Sequence, residues 1–131
     1  MHKGMFSVTT TRTMEFVDIT AHVQREIGQC GVTDGVCYLY NPHTTAGLTI
    51  NEGADPDVCT DLLAALRRLV PDIPYQHQEG NSPAHLQTAL VGGSVTVFVE
   101  NGRLALGTWQ KIFFCEFDGP RSRKVWWRLT T

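Results

Sequence analysis

The stretch SVTVFVENGRLALG, residues 94–107, decides the fold class. Val95, Val97 and Val99 alternate with Thr96 and Phe98 up to Glu100, which is the period of a strand with one face buried. Asn101-Gly102 is a preferred pair for a type I′ hairpin turn, since both positions must accept positive φ. Residues 103–107 are therefore expected to return alongside as an antiparallel partner. Residues 109–117 form another β-rich run. Asp118-Gly119-Pro120 then turns the chain into a last strand over residues 125–129. The final third is all strand.

Working upstream, the pattern changes. Ser82-Pro83 opens a short helix carrying His85, Leu86, Ala89 and Leu90, and Gly92-Gly93 ends it. A longer helix starts at Asp55-Pro56-Asp57, where Asp55 is a good N-cap, Pro56 suits the first helical position and Asp57 complements the positive helix end. Val58, Leu62, Leu66 and Leu69 follow at steps of four, four and three, a stripe expected to face a core. Residues 45–51 alternate with Ala46, Leu48 and Ile50 on one face and Thr45, Thr49 and Asn51 on the other. Residues 35–41 read as a buried strand. Residues 6–11 and 13–17 read as strands rich in Thr, Val and Phe. Between these two groups, Thr20 is the expected N-cap of a helix through Val23 and Ile27, with Gly28 or Gly31 as a stop. Helices fall between groups of strands rather than after each one, which argues α+β with antiparallel sheets.

The bulk properties fit one globular domain spanning residues 1–131. A formal net charge of −2 gives no electrostatic reason for nucleic-acid binding, and Arg121, Arg123, Lys124 and Arg128 read as a solvated edge. No apolar run approaches the ~20 residues that span a bilayer. The four cysteines are irregularly spaced without a C-x-x-C pair, and the first residues lack an apolar leader. Reduced thiols in a cytoplasmic protein without membrane contact are expected.

Most of the candidate chemistry lies between Pro42 and His85. His43, His77 and His85 sit among carboxylates and amides, the side-chain set of a zinc-type site with an open position. No pair has the i, i+4 spacing of helical zinc sites, so three locally satisfied polar residues fit the spacing equally. Asp55 and Asp57 are accounted for as capping groups. Glu52 and Glu79 have no such role and are candidates for a general base or for orienting a ligand histidine. Thr44, Thr45, Asn51, Asn81 and Gln110 can donate hydrogen bonds to an anion, and Arg121 can grip one bidentately. Trp109, Trp126 and Trp127 read as sheet packing or a subunit interface.

Five separated segments occur in order: H-T-T-A-G-L-T-I-N-E, D-P-D-V, H-x-E-G-N-x-x-A-H, N-G-x-L-x-L-G-T-W-Q and E-F-D-G-P-R. Together they closely resemble the YjbQ family, over nearly the whole chain. Gly53 departs from the family's more usual Asn, and Ser82-Pro83 is another departure; neither touches a candidate ligand. The resemblance implies an α+β protein with an antiparallel β-sandwich-like core, two or three helices and a homotrimeric assembly. It implies a metal centre of His43, His77 and His85 near a subunit boundary. It also implies secondary thiamine-phosphate synthase activity, the joining of a pyrimidine diphosphate to a thiazole phosphate. A histidine centre favours zinc, whereas a diphosphate leaving group is ordinarily served by Mg²⁺. The same side chains suit a metal-dependent phosphate-ester hydrolase. A non-catalytic trimeric ligand-binding module is the third expectation.

Overall fold

The computed structural model describes residues 1–131. Eight strands and three helices follow in the order β1 (His2–Thr9), β2 (Glu15–Asp18), α1 (Thr20–Gly28), β3 (Gly35–Tyr40), β4 (Ala46–Glu52), α2 (Pro56–Arg68), α3 (Ser82–Val91), β5 (Ser94–Glu100), β6 (Arg103–Leu104), β7 (Gln110–Glu116) and β8 (Ser122–Thr130). The strands form two antiparallel sheets, ordered β1-β8-β3-β5-β6 and β2-β7-β4. The class is α+β, as the strand and helix grouping predicts.

The main core lies between the sheets. Phe6, Leu39, Val97, Val99, Val125 and Leu129 from the larger sheet meet Leu48, Ile112 and Phe114 from the smaller one. Val23 and Ile27 of α1 join the same cluster. The opposite face of β7 presents Phe113 and Cys115 to Ala84 of α3, with Cys59 and Leu66 of α2 alongside. β7 is therefore covered on both faces, which is why residues 112–115 read as an unbroken apolar run rather than an alternation. No helix is long and apolar enough to cross a membrane.

Several local readings shift. Thr20 is the first residue of α1 rather than its cap, and its hydroxyl accepts from the Ile112 amide at 2.8 Å. The strand after Asn101-Gly102 is only two residues long. Both turn residues have positive φ as expected, but Gln110 Oε1 accepts from the Gly107 amide and pulls the chain away into a turn. The stripe of α2 is half-covered, and Leu69 is 61% exposed, because α2 is an outer layer with no second layer beyond it. Arg123 is not on a solvated edge. It alternates with Val125, Trp127 and Leu129 on the inner face of β8 and is buried.

Gly92-Gly93 fixes α3 to the sheets. Gly92 O accepts from the Leu48 amide at 3.0 Å and Gly93 O from the Asn41 amide at 2.8 Å. A Cβ on Gly47 would stand 2.8 Å from Gly92 O, so this crossing requires glycine there. The contact ties the C-terminal end of α3 to β4 and to Asn41 at the start of the β3–β4 connection.

Candidate functional site

The β3–β4 connection is held by Asn41. Its buried amide accepts from the His43 N–H at 3.2 Å and donates to His43 O at 3.1 Å and to Ala46 O. Thus pinned, His43 packs edge-on to Phe114, and its Nε2 accepts from the Lys124 backbone N–H at 2.8 Å. An accepting Nε2 leaves the ring proton on Nδ1. Burial, and then the Arg123 guanidinium, push the His43 pKa below the usual histidine value, so the ring is neutral at pH 7.

His77 lies within the connection between α2 and α3, and His85 lies in the first turns of α3. Gly80, at φ 77°, turns the chain between them, and its N–H donates to His77 O at 3.3 Å. The two rings stand with centroids 5.4 Å apart and nearly perpendicular. Asn81, at the start of α3, donates through Nδ2 to Asp118 at 3.0 Å, while its buried Oδ1 has no partner.

Beneath these lies a buried ion pair. Arg123 donates through Nε and Nη2 to Glu116, and Nη2 also donates to Thr45 Oγ1 at 2.9 Å. Thr10 donates to Glu116 at 2.7 Å, and the amides of Phe117 and Asp118 donate to it at 3.1 Å. Burial raises the Glu116 pKa, but the hydrogen bonds from Arg123, Thr10 and Asp118 outweigh it and hold the carboxyl below its usual range. The hydrogen bond from Asn81 leads in holding Asp118 down too, aided by Arg121, whose Nη2 lies 3.0 Å from the Asp118 carboxylate.

These groups enclose a pocket of about 370 Å³ with no hydrophobic lining residue. Eight of the eleven site residues expected from the sequence line it: His43, Thr44, Thr45, His77, Glu79, Asn81, His85 and Arg121. Asn51, Glu52 and Gln110 do not. Ala46 pairs with Glu116 at the pocket end of the β4–β7 ladder, and Glu52 pairs with Gln110 at the other. That is six residues of strand away, ~20 Å. There, Glu52 accepts from the Ala54 and Asp55 amides, Asn51 from the Glu52 amide and Gln110 from the Gly107 amide. All three shape turns.

Arg123 and Glu116 were missed as site residues. The signal was the two-residue period of residues 123–129, which sets Arg123 in line with three apolar residues and so inside. Arg123 also lines the pocket, and its hydrogen bonds to Glu116 and Thr45 run through Nε and Nη2.

As to a metal, the spacing of the His77 and His85 rings is compatible with one. Two imidazoles on a tetrahedral ion hold their ring centroids ~5 Å apart, close to the spacing found. No three His, Cys, Asp or Glu side chains are grouped closely enough to hold an ion, however. The expected trio is thus a pair with His43 nearby, and the Lys124 bond occupies His43 Nε2.

The family model described as UPF0047 protein YjbQ-like matches residues 4–131. The chain belongs to the YjbQ/UPF0047 family. It is 49% identical to UPF0047 protein YugU of Bacillus subtilis over 93% of this chain and 94% of that one. It is 46% identical to UPF0047 protein MJ1081 of Methanocaldococcus jannaschii, over 95% and 91%. A crystal structure of a YjbQ/UPF0047 protein from Clostridium acetobutylicum superposes with TM-score 0.92 at 48% identity, covering 96% of this chain and 98% of that one. Hypothetical protein APE1520 of Aeropyrum pernix superposes equally well, TM-score 0.92, at 38% identity over 99% and 98%. The YjbQ fold thus frames the pocket.

Proposed function

We propose that this YjbQ-family protein is a metal-dependent enzyme acting on a small phosphorylated metabolite, with thiamine-phosphate-synthase-like chemistry. The reading rests on one observation above all: a buried Arg123, held by Glu116 and Thr45, lines a pocket that has no hydrophobic lining residue. A fixed guanidinium fork is suited to a phosphoryl group. In this proposal His77 and His85 hold a divalent ion, most simply zinc, and His43 becomes a third ligand only by giving up its bond from Lys124. Such an ion supplies Lewis acidity toward a phosphoryl oxygen.

The remaining work falls on the chain. Arg123 and Arg121 orient the anionic groups, and the His43 Nδ1–H donates to negative charge that develops on a leaving diphosphate. In the synthase reaction a thiazole nitrogen bonds to the pyrimidine methylene as its bond to diphosphate oxygen breaks. That step needs charge stabilisation and no base. The pocket is rich in donors, and with Glu52 at the other end of its strand, Glu79 is its one carboxylate candidate for proton transfer. This favours group transfer. Glu79 at the same pocket keeps phosphate-ester hydrolysis as the second reading.

Self-association is part of the proposal. Met5, Trp126 and Tyr40 form a row across β1, β8 and β3, and Tyr38 and Phe98 extend it on the same outer sheet face. All five are exposed, an apolar area suited to burial in a homotrimer. Lys124, whose amide holds His43, is on that face of β8, so assembly would bring a neighbouring chain close to the pocket.

The deciding experiment incubates metal-repleted protein with the pyrimidine diphosphate and the thiazole phosphate. Thiamine phosphate with matching pyrophosphate release is expected. Inorganic phosphate released from simple esters instead would install the hydrolase reading, and no turnover of either would leave the trimeric ligand-binding module.

A further inference from the structure

At the other end of β7, a cleft of about 550 Å³ opens between the start of α1, the β5–β6 hairpin and the 107–111 segment. It falls within the size range of small-ligand sites. Arg25, Arg103 and Lys111 line it against a single carboxylate, Asp18. The chain's two ion pairs, Arg121–Asp118 and Arg123–Glu116, both belong to the histidine pocket, so none of these three cations has a carboxylate partner. Asp18 is itself engaged, accepting from the Thr20 amide at 2.9 Å. α1 starts at the cleft wall, where the Asp18 carboxylate meets its first amide. Three cations against one lining carboxylate, in a chain with net charge −2, give the cleft a locally positive field.

One of the cations is also positioned. The aliphatic stem of Lys111 lies across the backbone of Gly53, where an added Cβ would collide with Lys111 Cγ and stand 2.6 Å from its Cβ. The Leu104 and Leu106 side chains give the cleft an apolar border, and Thr108 and Gln110 add polar groups to it.

We infer that this cleft is a second anion-binding site, for a small molecule bearing a phosphate or diphosphate group, separate from the histidine pocket by the length of β7. Inorganic pyrophosphate is the probe. Titrated into the full chain at physiological ionic strength and followed by amide chemical shifts, it is expected to move Ala21, Thr108 and Lys111 as one saturable set. The R25Q/R103Q/K111Q variant alters only exposed or half-exposed side chains. It should weaken that set about tenfold, three exposed charge contacts each contributing about twofold, without altering any shifts at His43 or His85. Gly53→Asn displaces the Lys111 stem and should weaken it a few-fold. Shifts confined to the histidine pocket, or cleft shifts that persist at full affinity in the triple variant, overturn the inference.

Discussion

The two ends of β7 carry cations in opposite ways. At the Glu116 end, Arg123 is buried, paired and hydrogen-bonded through two of its three nitrogens, and Arg121 is tied to Asp118. At the Gln110 end, Arg25, Arg103 and Lys111 have no acidic partner. The first arrangement fixes geometry at the expense of net charge; the second keeps charge and leaves geometry loose. Departure of a diphosphate depends on donors held in place before the reaction, whereas capture of an anion depends mainly on field. In the proposed reading, the contrast gives transformation to one end and anion capture to the other.

The largest expected effect comes from breaking the fixed end. Arg123→Met leaves the Glu116 carboxylate buried and unpaired, and should cost about 3–5 kcal/mol in urea unfolding. Adding Glu116→Leu should recover much of that loss while phosphate binding at the pocket stays absent. If the single variant unfolds like the native chain, the pair is not holding the pocket floor. Acid supplies the same test without mutation. The folded-state pKa values of Glu116 and Asp118 lie below those of the unfolded chain, so their stabilisation is present above the unfolded value, ~4, and disappears as pH falls through the folded values. Stability should decline on acidification below about pH 4, and less steeply in Glu116→Gln.

A smaller effect separates the histidines. His77→Ala and His85→Ala should each weaken zinc binding by at least about tenfold, by analogy with lost ligand or supporting contacts. His43→Ala should weaken it less, because that ring begins bonded to Lys124. Competition with a chromophoric chelator measures all three. Equal losses at the three positions would mean that His43 has already left Lys124 in the metal-bound protein.

Much of the architecture was legible because local signals agreed. The alternation of residues 95–99, the Asn101-Gly102 turn and the Asp55-Pro56-Asp57 helix start all recur in the structure, with Asp55 accepting from the Asp57 amide at 2.9 Å. The site was legible where loops converge, since His43, His77 and His85 all lie at or near element ends. It was misread where a strand intervenes. Asn51 and Glu52 are neighbours of the histidine motif in sequence, but an extended chain carries them the full length of β4 from it. Arg123 was misread for the converse reason. Its charge suggested the surface, while its place in a two-residue period put it inside, and a buried carboxylate 7 residues earlier makes that burial tolerable.

Glu52 gives the smallest effect and the sharpest control. Its carboxylate accepts from two amides in the turn that leads into α2, at 2.6 and 3.2 Å. Glu52→Gln keeps an accepting oxygen but not the charge, so a loss of about 1 kcal/mol or less is expected in urea unfolding, in the range of a weakened helix-entry contact. Turnover and phosphate affinity at the histidine pocket should match the native chain, because no lining residue has moved. Glu79→Gln, at the pocket itself, should lower activity if a proton is transferred and leave it unchanged if only charge stabilisation operates. A Glu52→Gln variant that folds normally yet loses activity would require the far end of β7 to reach a histidine pocket, which within one chain it cannot do, and would point to the pocket of a neighbouring chain in the proposed trimer.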